Sequence, residues 1–221
     1  MLGTHDLPVF IVAGLMLNLT PGADLLYITS RSIAHGVRAG AVAALGVSAG
    51  CLVHMLGAAL GVSALLAASS TAFTVLKLLG AAYLVFMGLQ LLRARGAGHG
   101  TEAAGLARGG RGIERPAGAP SLRAVAAQGF LTNVLNPKVA LFFIAFVPPF
   151  IDAKAANKVL AFIFLGTIFT LNSTLCCLLL AWLAARLGRA GLDARAGAWV
   201  RRAAGGLFVV LGVRLALAER A

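Results

Sequence analysis

Two short stretches hold the residues with chemical capability. The first is Asn18-Leu19-Thr20-Pro21-Gly22-Ala23-Asp24 and the second is Asn133-Val134-Leu135-Asn136-Pro137-Lys138. Each sets amides, a proline and one charge inside an otherwise apolar run. A proline withholds a backbone donor and disrupts the turn before it, and Gly22 adds conformational freedom. Backbone groups freed in this way can face a ligand instead of each other. Asp24 and Lys138 would each cost about 2.5–3.5 kcal/mol at the centre of a membrane helix. If the two stretches cross, the charges can meet and offset much of that cost. The same pair suits a zwitterion, Lys138 toward its carboxylate and Asp24 toward its ammonium. Asp24 is also the candidate carrier of a coupling proton. A plain proline kink and a static ion pair are the alternatives. The candidate binding residues are thus Asn18, Thr20, Pro21, Gly22 and Asp24 in the first stretch, and Asn133, Asn136, Pro137 and Lys138 in the second.

The elements that position these residues are membrane helices. Of 221 residues, 60% are hydrophobic and 12% charged, and the mean hydropathy is +0.92. That composition excludes an ordinary soluble domain. Six apolar segments, at about 7–29, 39–67, 72–92, 123–150, 157–185 and 200–218, each reach the roughly 20 residues that a crossing needs. They are too long and too rich in Gly and Ala for barrel strands. The expected fold is an all-α integral membrane protein with interrupted first and fourth helices. No Lys or Arg precedes the first segment, so it reads as a permanent helix and not as a signal peptide.

The net charge of +12 would fit nucleic acid, but its placement argues for topology. With six spans, alternate loops share a side. One side collects thirteen arginines, at 31 and 38, between 93 and 123, and between 186 and 202; the other has Lys154, Lys158 and Arg220. The positive-inside rule puts the arginine-rich loops in the cytoplasm and both termini outside. The basic charge then orients the protein and attracts anionic lipid; nucleic acid is not a partner on this reading.

Residues 93–122 are rich in Gly, Arg and Pro and have no periodic apolar face, as expected of a cytoplasmic linker. They separate an N-terminal repeat, 1–92, from a C-terminal repeat, 123–221. Pro21 and Pro137 are 116 apart, Leu45-Gly46 and Leu165-Gly166 are 120 apart, and Gly88-Leu89-Gln90-Leu91 and Gly212-Val213-Arg214-Leu215 are 124 apart. The fixed order suggests a duplication. Three spans per half force the second to be inserted upside down. Inverted repeats with a broken helix in matching positions are the sequence sign of a secondary transporter, not of an enzyme.

On the second segment, Gly46, Gly50, Gly57 and Gly61 fall within roughly 60° of arc, a stripe for close helix contact within the bundle or in a homodimer. His54, at the edge of this stripe, is a second candidate for proton coupling, or else a packing residue. Cys51 and His54 form half of a metal site that nothing completes, so no metal or cofactor is expected. Cys51, Cys176 and Cys177 read as small packing residues. A metal-ion or other small-solute exporter and a membrane thiol–disulfide relay are the rival functions.

NLTPGAD, GFLTNVLNPKVALFFIAFVPPF at 129–150, KLLGAAYLVFMGLQLLR and GGLFVVLGVRLAL together resemble the LysE/RhtB family of bacterial amino-acid exporters, over nearly the whole chain except the linker. The family's first motif usually reads N-x-T-P-G-P-D; Ala23 replaces its second proline here. Where Pro-Gln-Phe is frequent, this chain has Pro148-Pro149-Phe150. The resemblance implies efflux of amino acids from the cytoplasm by proton antiport, with the amino acid, protons and lipid as partners. No excess of acidic residues awaits a dibasic substrate, so a neutral, homoserine- or threonine-like one is expected.

Overall fold

The computed structural model describes residues 3–20, 22–68, 70–93, 120–152, 155–187 and 194–217. Most of the linker expected at 93–122 lies outside the described residues, as do Pro21 and Lys154. The described chain is helical. Its elements are α1 (Leu7–Leu19), α2 (Ala23–Ala68), α3 (Ser70–Arg93), α4 (Leu122–Val134), α5 (Pro137–Leu141), α6 (Lys158–Leu187) and α7 (Ala194–Leu217). A π-helical turn, Phe142–Phe146, and a 3₁₀ turn, Pro148–Phe150, follow α5. Among the described residues no strand forms; Thr4 and Ile151 make an isolated antiparallel bridge.

Helix α2 is two helices joined at Gly36, whose φ of +80° and ψ of 177° only glycine adopts readily. The chain folds back there. A Cβ on Gly40 would collide with the Ser32 hydroxyl, and Ile28 shares an apolar cluster with Ala43, Ala44 and Val47. The sequence places a loop at 30–38; the structure keeps helix up to a single bent residue. The expected first and second spans therefore meet as a tight hairpin.

Two stretches, Ala23–Gly61 and Lys158–Leu187, are long and apolar enough to cross a membrane, and the first contains the Gly36 bend. Leu122–Val134 with Pro137–Phe150 passes the same test as one span bent by 50°. Helix α1 and Leu78–Arg93 are apolar but shorter. The first expected span is divided because α1 stops at Leu19 and helix resumes at Ala23.

Helix α2 packs most extensively on α6 and α4, and α3 on α7. Lipid is as apolar as these side chains, so close fit more than exclusion from water holds such helices together. A Cβ on Gly88 would stand 2.6 Å from the Gly205 carbonyl, and one on Gly212 would stand 2.7 Å from that of Ala81. The glycine stripe on α2 serves the bundle only in part. At Gly46 a Cβ would run into the Ala126 carbonyl of α4, whereas Gly57 and Gly61 have nothing within 4 Å of one among the described residues.

A cluster of aromatic rings seats α1 against the turns that follow α5. Phe10 lies 5.9 Å from Phe146 and 5.2 Å from Phe150, and Phe142 stacks on Phe169 of α6 at 4.0 Å. The N-terminal residues fasten the same end, with the His5 amide donating to the Phe150 carbonyl and the Asp152 amide to that of Gly3.

Candidate functional site

The two breaks come together, and each is organised by a side chain from the other. Helix α1 ends at Leu19 with Thr20 as its cap, and the Thr20 hydroxyl turns back to the Met16 carbonyl at 2.8 Å. Its last carbonyls have no further helical turn to bond, although Leu17 O accepts the Thr20 amide at 3.1 Å. The Lys138 ammonium reaches them, donating to Leu17 O at 2.7 Å and Thr20 O at 3.0 Å. A cation suits a helix C-terminus, where the dipole leaves partial negative charge. Gly22 lies beside it, so that a Cβ there would be 3.6 Å from the ammonium.

The second break is a helix start. Asn136 is the N-cap of α5, its Oδ1 accepting the Lys138 amide at 3.0 Å, and Pro137 occupies the first turn. Asn followed by Pro is a favourable opening for a helix, because the cap takes an orphan amide and the proline has none to lose. The other end of the Asn136 amide donates to Asp24 Oδ2 at 2.9 Å, and the Asn133 amide donates to the same oxygen at 2.9 Å. A carboxylate only accepts, so both amides must point their nitrogens at it. Asp24 sits in the first turn of α2, where the helix dipole favours a negative charge.

The expected meeting of Asp24 with Lys138 does not occur. The two share a site but form no ion pair, since the Asp24 oxygen that bonds takes two amides and Lys138 takes two carbonyls. Each charge is solvated by the opposite break.

A cavity of about 30 Å³ lies between them, bordered by Asn18, Thr20, Gly22, Asp24, Asn133, Asn136 and Lys138. All the described candidate binding residues except Pro137 line it. Such a volume holds a water or two and is too small for an amino acid in this conformation. Among the described residues three buried side-chain polar atoms have no hydrogen-bond partner: Asn18 Nδ2, Asp24 Oδ1 and Asn133 Oδ1. Buried polar groups are nearly always satisfied, and these three all belong to residues on one cavity.

His54 does not line the cavity but stands one residue away. Its Nε2 lies 3.0 Å from the Asn133 carbonyl, so that nitrogen carries the hydrogen. Gly50, one turn earlier, lets α4 approach. A Cβ there would be 2.8 Å from that of Asn133 and 2.8 Å from the Phe130 carbonyl, so α4 would have to shift. Besides Leu17, Leu25 and Val139 next to the breaks, the wall holds residues that went unrecognised in the sequence: Val47 and Cys51 of α2, and Phe169, Ser173 and Cys177 of α6. Their only sequence signal is the four-residue spacing on each helix, which any packed helix shares. The Cys51 thiol lies 3.5 Å from the Thr170 hydroxyl, and the His54 ring bonds to Asn133 instead. Among the described residues no group of three or more His, Cys, Asp or Glu could hold a metal ion.

Apolar helices long enough to cross a membrane, packed around a buried polar cavity at two helix breaks, define a multi-pass membrane protein. The profile of the LysE type translocator family matches residues 15–219. The chain belongs to that family, an amino-acid exporter family. It is 34% identical to an uncharacterized membrane protein of Pseudomonas aeruginosa, over 98% of this chain and 97% of that one. It is 30% identical to the leucine efflux protein of Enterobacter sp. (strain 638), over 77% and 75%. It is also 30% identical to the uncharacterized membrane protein YrhP of Bacillus subtilis, over 81% and 83%. No solved structure matches.

Proposed function

We propose that this protein exports neutral amino acids from the bacterial cytoplasm in exchange for protons, and that the zwitterion binds between the two breaks. The observation that carries this is the set of unpartnered atoms around the cavity. Asp24 Oδ1 and Asn133 Oδ1 are acceptors matched to an ammonium, and Asn18 Nδ2 is a donor matched to a carboxylate. Lys138 adds positive charge on the carboxylate side. The relative named for leucine efflux supports the same class. Among the described residues Asp24 and Lys138 are the only charged ones that border the cavity. Both are taken up by the groups common to all amino acids, so neither is left for a charged side chain.

Proton exchange follows from the single free oxygen of Asp24. Its other oxygen already accepts two amides. A proton and a substrate ammonium compete for Oδ1, so one leaves when the other arrives. His54, bonded to the residue that holds Asp24, is the second proton-coupling group.

The scaffold we infer is six spans in two inverted three-helix repeats. Lys138 reaches residues 17 and 20, and Asp24 is reached by residues 133 and 136. Leu17 and Asn133, and Thr20 and Asn136, are each 116 positions apart, the separation of Pro21 and Pro137. The close contacts of Gly88 with Gly205 and of Gly212 with Ala81 exchange under the 124-residue offset of the third helices. Both coincidences support a two-fold relation between the halves. The arginine-rich loops then face the cytoplasm of an inner-membrane protein, and both termini the periplasm. A homodimer would have Gly57 and Gly61 to pack on.

The test is release from cells. Expressing and empty-vector strains are loaded with a mixture of dipeptides, and every amino acid appearing in the medium is followed, with and without a protonophore. Faster release of neutral amino acids, slowed when the gradient collapses, is the expected result. Equal release from both strains, with the protein present in the membrane, would remove the amino-acid reading; gradient-independent release would remove the exchange.

A further inference from the structure

The breaks account for the polar side of the cavity, and α2 and α6 form the other. Val47 and Cys51 lie four apart on α2, and Phe169, Ser173 and Cys177 lie at four-residue intervals on α6. Each set is one stripe of one helix. Between them they carry no charge and one hydroxyl. We propose that these two stripes are the pocket for the substrate's side chain, with Phe169 as its floor, and that they select an apolar side chain of limited size. This rests on the amino-acid reading and extends it to the side chain.

Phe169 is 3% exposed. Its ring stacks on Phe142 at 4.0 Å and meets the edge of Phe143 at 5.5 Å. It also lies over Gly14 of α1, where a Cβ would come within 3.1 Å of it. A ring held on three sides cannot retreat from a larger substrate. The neighbouring wall is firm as well, since α2 and α6 pack extensively and Ser48 and Thr174 share a hydrogen bond of 2.8 Å across them. The broken helices, with free hydrogen-bonding groups, are the side that must part to admit a ligand. Selection then falls to the wall that stays. Apolar walls discriminate by size, and weakly; one methylene is worth about 10–200-fold. Apart from the Ser173 hydroxyl that wall offers a hydroxylated side chain little to bond, so it favours leucine- and valine-like side chains over those of threonine and homoserine.

The test compares release ratios from dipeptide-loaded cells. The wild type is expected to release leucine and valine faster than threonine. Phe169→Leu is expected to raise the phenylalanine-to-leucine ratio by about tenfold, and Ser173→Leu to lower the leucine-to-alanine ratio by a similar factor. The opposite directions separate pocket size from a general loss of activity. Because Phe169→Leu disturbs a packed cluster and can impair folding, a second measurement uses the purified wild-type protein. Labelling of Cys51 and Cys177 by N-ethylmaleimide is expected to slow at least about twofold with leucine, but not with lysine. Threonine released as fast as leucine, unchanged ratios in a folded variant that still exports, or absence of protection by leucine would each overturn the pocket. Release of no amino acid by the wild type would instead overturn the reading beneath it.

Discussion

The two breaks solve one problem with opposite chemistry. At the first, α1 runs out and leaves carbonyls, and the helix that resumes carries a carboxylate in its first turn. At the second, an Asn-Pro start caps α5 with a side chain, and the charge that follows is a lysine. A lysine at the start of a helix opposes that helix's own dipole. Here the ammonium extends away from α5 to the C-terminus of α1, where the dipole favours it. Asp24 gains nothing by reaching away, since its own helix start suits it, and the amides of the second break come to it. The lesson is that neither break is complete alone. One supplies helix-end carbonyls, the other supplies amides, and each binds the charge of its counterpart.

This difference can be broken in order of size. The largest effect is expected for Asp24→Asn. Losing a buried, hydrogen-bonded charge costs about 2–5 kcal/mol, so release of substrate from loaded cells should fall at least roughly thirtyfold. Its thermal stability in detergent should change little, because the new amide oxygen still accepts from Asn133 and Asn136. Lys138→Met should lose export and stability together. It leaves the Leu17 and Thr20 carbonyls without a charged donor, at about 1.5–3 kcal/mol for each bond, which a lowered unfolding temperature would register. Equal stability losses in the two variants would contradict the division of labour between the breaks.

Smaller changes sharpen the comparison. Gly50→Ala should cost about 1–3 kcal/mol by overpacking against α4 and should weaken export by displacing Asn133, while Gly57→Ala should stay within about 0.5 kcal/mol in thermal unfolding. Asn136→Ala should lose about 1 kcal/mol as a cap in addition to its bond with Asp24. Asn133→Ala, with no cap to lose, should raise the KM for export while unfolding closer to the wild-type temperature.

Much of the site was legible because a break in a membrane helix needs residues that are conspicuous among apolar ones. Pro137 and the amides around it marked the second break, and Asp24 and Lys138 marked the charges. The manner of their pairing was not legible. Opposite charges in a sequence suggest an ion pair, yet Asp24 takes the side-chain amides of Asn133 and Asn136, and Lys138 takes backbone carbonyls at a helix end, which carry no residue signature. The hairpin between the first two apolar segments was expected as a loop; Gly36 alone makes the turn, and one glycine among 27 does not announce a positive φ. The α2–α6 wall was hidden for another reason. Val47, Cys51 and Phe169 are what any packed helix contains, and only the fold turns them toward the cavity. The glycine stripe was read in full from its period, but α4 ends at Val134 and covers only part of it.

The reciprocal anchoring also constrains how the molecule is made. Asp24 is bonded to a residue 112 positions further along the chain. At a synthesis rate of about 5–20 residues per second, the carboxylate waits roughly 6–22 s for its amides. During that interval the newborn N-terminal half must keep Asp24 hydrated at the water interface or in the insertion machinery, because lipid offers it nothing. Assembly of the first helices is therefore provisional until Asn136 emerges, and a chain truncated before the second break would present its handlers with an unanswered charge.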